Sequence, residues 1–82
     1  MSMETLDKLL EKIPVMPTSG DVNKLASGLA DPVTQQAWVE LFELYNLANK
    51  GRKSMTCRPC YYMVWMWLKG EYRKQRDAKG NL

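Results

Sequence analysis

Two cysteines three residues apart, in Cys57-Arg58-Pro59-Cys60, are the side chains of this sequence best equipped for chemistry. A dithiol at that spacing can cycle with a disulfide. Its first thiolate would be favoured by a helix start and by nearby cations such as Arg52, Lys53 and Arg58. The same pair is half of a structural zinc site, which needs four ligands in a tetrahedral array. The chain has no histidine, so a closed zinc site would have to be shared between Cys57 and Cys60 of two copies. A third reading makes both cysteines small apolar side chains in the first turn of a buried helix. That reading is the expectation, with no metal and no cofactor. A Cys57–Cys60 disulfide is sterically conceivable, but it closes only a short loop. Without histidine the commonest general base is missing. Beyond the two thiols no side chain stands out as catalytic and no small-molecule substrate is evident, so a non-enzymatic protein is expected.

The motif resembles the Cys-x-Pro-Cys of thioredoxin-like oxidoreductases. That family places a strand before it, inside a sheet-containing domain. Here residues 32–49 precede it with a helical pattern, so the resemblance ends at four residues.

The elements that must position the pair are helices. Residues 4–13 set Leu6, Leu9, Leu10 and Ile13 on one stripe, with Glu4 and Asp7 in the first turn where anions suit the dipole. Pro14 ends this helix. Thr18 or Ser19 can cap a second, short helix carrying Val22, Leu25, Ala26 and Leu29, which Gly28 weakens. Asp31-Pro32 is an N-cap followed by a proline at the first helical position. From there Val33, Ala37, Leu41, Leu44 and Ala48 form a stripe, flanked by Trp38, Phe42 and Tyr45, and Gly51 is the expected left-handed stop. Thr56 is the expected cap of a fourth helix with Tyr61, Val64, Trp65, Leu68 and Tyr72 on one face. No segment alternates with period two. The expected fold is all-α, a single domain over residues 1–82 built as a bundle of three or four helices, with a tail from about residue 74 that frays.

Eighty-two residues, 45% apolar and 26% charged, suit one small domain with a modest core and no deep cleft. The net charge of +3 hides a polarity. Residues 1–49 sum to −4 and residues 50–82 to +7, so the halves either attract each other or present a basic end to an acidic partner. The opening Met1-Ser2-Met3-Glu4 has no basic and apolar leader pattern, and the longest apolar run, residues 60–68, is too short for a membrane span. A cytoplasmic location, with reduced thiols, is the expectation.

That apolar run is the strongest oddity. After the stripe Tyr61, Val64, Trp65 and Leu68 is subtracted, Tyr62, Met63, Met66 and Trp67 remain. Either this helix is central and ringed by the others, or Met63, Met66 and Trp67 form an exposed patch. Methionine adapts its shape and tryptophan anchors, which suits a contact with a protein partner or a second copy. Arg73, Lys74 and Arg76 would steer that contact. A rival use of the same region is nucleic-acid binding through Lys50, Arg52 and Lys53 together with Lys69, Arg73 and Arg76.

The stretch Leu41-Phe42-Glu43-Leu44-Tyr45-Asn46, the basic spacer, Cys57-Arg58-Pro59-Cys60-Tyr61 and the Val64/Leu68 repeat resemble small helical proteins of tailed bacteriophages and prophages over residues 41–72. The resemblance implies a viral context within a bacterial host and carries over no catalytic residue. The functional expectation is a helical interaction module that self-associates or docks on a protein through the aromatic and methionine-rich face of its last helix.

Overall fold

Both ends of the two middle helices have a local chemical cause. The computed structural model describes residues 3–80 and contains α1 (Met3–Lys12), α2 (Ser19–Ala26), α3 (Pro32–Asn49) and α4 (Arg58–Gly80), with no strand among those residues. Thr18 caps α2 through a capping box. Its hydroxyl accepts from the Asp21 amide at 3.2 Å, and its own amide donates to the Asp21 carboxylate at 3.1 Å. Those hydrogen bonds hold the Asp21 carboxyl below its ordinary range, first through the Thr18 amide. Asp31 caps α3 by accepting from the amides of Val33 and Thr34.

Gly28 ends α2 instead of merely weakening it. With φ at 73° it sits in the left-handed region. The Leu29 amide reaches back to the Lys24 carbonyl and the Gly28 amide to that of Leu25, the double bond of a Schellman stop. Leu29 therefore lies beyond the helix and is 76% exposed, against the expectation that it extended the α2 stripe.

The stop after α3 also differs from expectation. Lys50, not Gly51, takes the left-handed conformation, with φ 51° and ψ 37°. Asn46 explains the exchange by gripping the loop, its side chain bonded to both the amide and the carbonyl of Lys53. Gly51 is needed for closeness, since a Cβ there would meet Asn46 Oδ1 at 3.3 Å and the Tyr45 ring at 3.4 Å.

The α4 boundary brings two corrections. Thr56 does not cap the helix, because its hydroxyl pairs with that of Ser54 at 2.9 Å. The cysteines are not free apolar side chains either: Cys57 and Cys60 are joined as a disulfide, with Cα atoms 5.4 Å apart. Cys57 is the residue before the first helical one and Cys60 follows three later. These are the two positions that a capping box links, as Thr18 and Asp21 do on α2. At α4 a covalent bond links the same two positions, tying the first turn together without pairing the amides that a capping box satisfies.

The core gathers Leu6, Leu9 and Ile13, Val22 and Leu25, Ala37, Trp38, Leu41 and Phe42, and Cys60, Tyr61, Val64 and Leu68. Fully burying each large aliphatic side chain contributes about 1.5–3 kcal/mol. Its centre is aromatic: the Tyr61 ring lies 5.0 Å from those of Trp38 and Phe42. The Tyr61 hydroxyl donates to the Met55 carbonyl at 2.6 Å, so no polar group is stranded there. Helix α4 packs on all three other helices, the central position the sequence allowed for.

The α3 stripe is narrower than its periodicity implied. Val33 and Ala48 are exposed and Leu44 is only half-buried. Val33 and Ala48 lie near the two ends of the 18-residue α3, where polar contacts take over from the core: Gln35 donates to the Leu25 carbonyl at 3.0 Å, and Asn46 holds Lys53. Trp65 and Tyr72 are likewise half-buried. Helix α4 runs through Gly70 and on to Gly80, while residues 81 and 82 of the expected tail lie outside the described residues.

Candidate interaction surface

Helix α4 spends its apolar surplus on two different environments. Tyr61, Val64 and Leu68 are wholly buried, whereas Met63 is 50% and Met66 58% exposed. At 3.6 residues per turn, Met63, Met66 and Gly70 fall opposite the buried stripe, with Arg73 following on the same side. The surface is partly braced from α3. The Tyr45 ring meets Trp67 edge-on at 5.4 Å and its hydroxyl lies 3.7 Å from the Met63 sulfur. Trp67 and Tyr62 are half-buried. Of the residues that the sequence assigns to a partner surface, Met63, Met66 and Arg73 are exposed together, while Tyr62 and Trp67 form half-sunken shoulders. Lys74 is exposed on the Trp67 side and lies 3.8 Å from Glu71. Arg76 turns the other way, over the Tyr72 ring at 5.9 Å.

The residues suggested for nucleic acid separate into two groups. Lys69, Arg73 and Arg76 lie towards the end of α4, with Lys69 over the Trp65 ring at 5.7 Å. Lys50, Arg52 and Lys53 lie in the loop before α4 begins. The rise from Arg58 to Lys69 alone is about 16 Å, so the two clusters belong to opposite ends of one helix. Lys69 also shares a shallow depression with Asp7 and Glu11 of α1, which places it beside acidic residues of its own chain.

The cysteine pair has its sulfurs bonded to each other, so neither can ligate a metal or attack a substrate until reduced. Among the described residues no group of three or more His, Cys, Asp or Glu side chains is placed to hold a metal ion. Also among them, no helix is long and apolar enough to cross a membrane. Burial pushes the Tyr61 hydroxyl up to about 12, which keeps it protonated as the core requires.

Two features escaped the sequence. One is a cleft of about 300 Å³ where α1, α2 and the start of α3 meet. The buried Ile13, Leu25 and Trp38 line it, with Lys12, Lys24 and Asp21 among its charged residues. The connector from Pro14 to Pro17 shapes it, and nothing in helical periodicity foretells how such a connector folds back. The other is Leu47, 79% exposed on the outer side of α3, where Gln36, Glu40 and Glu43 are also exposed. Its spacing from the buried Leu41 and Phe42 was the available signal. Comparison with models of protein families, with curated proteins and with solved structures returns no match.

Proposed function

We propose that this protein is a non-enzymatic helical interaction module that docks through the outward face of α4. The observation that carries the reading is the exposure of Met63 and Met66, at 50% and 58%, on a helix whose opposite face fills the core. Leaving two adjacent thioethers in water forfeits burial free energy unless another surface covers them. Trp67, held by Tyr45, supplies a stiff edge beside them, and Arg73 and Lys74 extend the surface with positive charge that would guide an acidic partner. We place the protein in the cytoplasm, where the Cys57–Cys60 disulfide would be held reduced, and the resemblance to small phage proteins makes a bacterial host the setting.

The test is co-purification from cells that produce the tagged chain. Met63→Glu/Met66→Glu is compared with Leu29→Glu/Val33→Glu, which alters side chains that are equally exposed elsewhere. Specific partners, a second copy included, are expected to disappear with the methionine pair alone. Partners that survive it, or that vanish with both variants, sink the assignment.

A second reading has one observation in its favour. Lys69 and Arg76 each cap an aromatic ring on one flank of α4, with Arg73 near them, a cationic and aromatic row able to follow a phosphate backbone. Three phosphate contacts would give a slope of about −3 for log affinity against log salt. A flat titration against random duplex removes this reading.

A further inference from the structure

The chain carries on its own surface a complement to the α4 face. Along the outer side of α3, Glu40, Glu43 and Leu47 are exposed. No lysine or arginine occurs anywhere in that helix. Along α4 the order is Met63, Met66, Gly70, Arg73 and Lys74. Leu47 follows Glu40 by seven residues, and Met66 precedes Arg73 by seven, a rise of about 10 Å in both cases. Laid antiparallel, Leu47 meets Met66 when Glu40 meets Arg73, and Glu43 then comes level with Gly70, one helical turn from Lys74.

We propose that the outward face of α4 seats on the outer face of α3 in a second copy of this chain. The proposal rests on the docking reading above and names its partner. Two further observations support it. The halves of the chain bear opposite net charge, yet the ion pairs among the described residues are all local: Lys8 with Glu4, Lys74 with Glu71 and Arg76 with Asp77. Lys69 lies beside Asp7 and Glu11, but Arg73 has no ion pair among the described residues, so its charge is available to another copy. Gly70 is the other observation. It is helical, not left-handed, and a Cβ there would meet nothing within 4 Å in its own copy, so the monomer has no steric use for a residue that weakens a helix interior. At the crossing point of a second helix it removes the side chain that would hold the backbones apart.

Sedimentation velocity over roughly 1 µM to 1 mM chain, the range in which small interfaces dissociate, is the deciding measurement. The wild-type chain is expected to associate, less so at high salt. Arg73→Glu/Lys74→Glu and Glu40→Lys/Glu43→Lys should each weaken association roughly tenfold or more. Mixing the two variants should restore it, because each then meets its complement. Gly70→Leu should abolish association while circular dichroism shows the helices intact. A wild-type chain that stays monomeric to about 1 mM overturns the second copy as partner. So does association that ignores the charge reversals or does not recover in the mixture. The docking reading fares separately: it stands if Met63→Glu/Met66→Glu still removes a different protein, and falls if that variant changes nothing at all.

Discussion

The two faces of α4 are built from similar residues and meet opposite fates. The inward face, Tyr61, Val64 and Leu68, is fully enclosed by the other three helices. The outward face, Met63, Met66 and Gly70, is as apolar in sequence and stands in water. The difference lies in how many partners a helix can have in so small a molecule. With α1 and α2 only 10 and 8 residues long, the bundle covers one side of its last helix and has nothing left for the other. Apolar character along a chain therefore states a demand for cover, and the cover need not come from the same chain.

Replacing Leu68 with alanine attacks the inward face and should give the largest effect. A loss of about 2–5 kcal/mol is expected in urea unfolding, from lost transfer free energy and a residual cavity. A loss under about 1 kcal/mol would mean that the two faces are less different than their exposure indicates.

The next test uses Tyr61. Its folded pKa lies above that of an exposed tyrosine, so the native state holds the proton that the unfolded state releases. Stability is then fully present below about pH 10 and falls as pH rises towards about 12, by about 2 kcal/mol. Below pH 10 the wild-type and Tyr61→Phe stabilities should differ by a constant amount, and between about pH 10 and 12 wild type should lose stability relative to the variant. Parallel curves across that window would remove Tyr61 as the cause.

Reducing the Cys57–Cys60 disulfide acts at the start of the same helix. The loop it closes is so short that the entropic gain is at most about 2 kcal/mol. A modest drop in the thermal midpoint on adding a phosphine is expected, with helical content otherwise kept. Collapse of the fold on reduction would show the bond to be essential, which the short loop it closes does not suggest. The smallest effect belongs to the outward face: Met63→Ser/Met66→Ser should change the unfolding free energy of dilute chain by less than about 0.5 kcal/mol. A cost comparable to that of Leu68→Ala would place those methionines in the core and erase the contrast.

Much of the fold was legible from local chemistry. Thr18, Asp31 and Pro32 announce helix starts because their side chains satisfy, or do not need, the amides that a helix leaves unpaired. Leu6, Leu9, Val22, Leu25, Leu41 and Leu68 are readable as core because 3.6-residue spacing puts them on inward stripes. The misreadings fall where a neighbour had to be known. Leu29 lies outside its helix because the turn at Gly28 closes early. Val33 and Ala48 lack cover because the core takes only the middle of α3, from Ala37 to Phe42. Thr56 lost its capping role because its hydroxyl pairs with that of Ser54, and Lys50 took a conformation expected of Gly51 because Asn46 holds the loop.

The candidate surface was half legible. A count of apolar residues in 60–68 leaves open whether the helix is ringed on every side or leaves a patch outside, and it names Met63, Met66 and Trp67 for that patch. It does not show that Trp67 would be half-shielded by Tyr45, or that Leu47 would stand exposed beside Glu40 and Glu43.

By itself, then, the order of residues determined that the chain is helical, where most helices begin, and that its last helix has more apolar surface than one stripe can hide. Only the tertiary structure decided which of those side chains stay in water and that the two cysteines join. Helix periodicity and caps are interactions between residues three and four apart, while burial depends on which helices are long enough, and near enough, to cover one another.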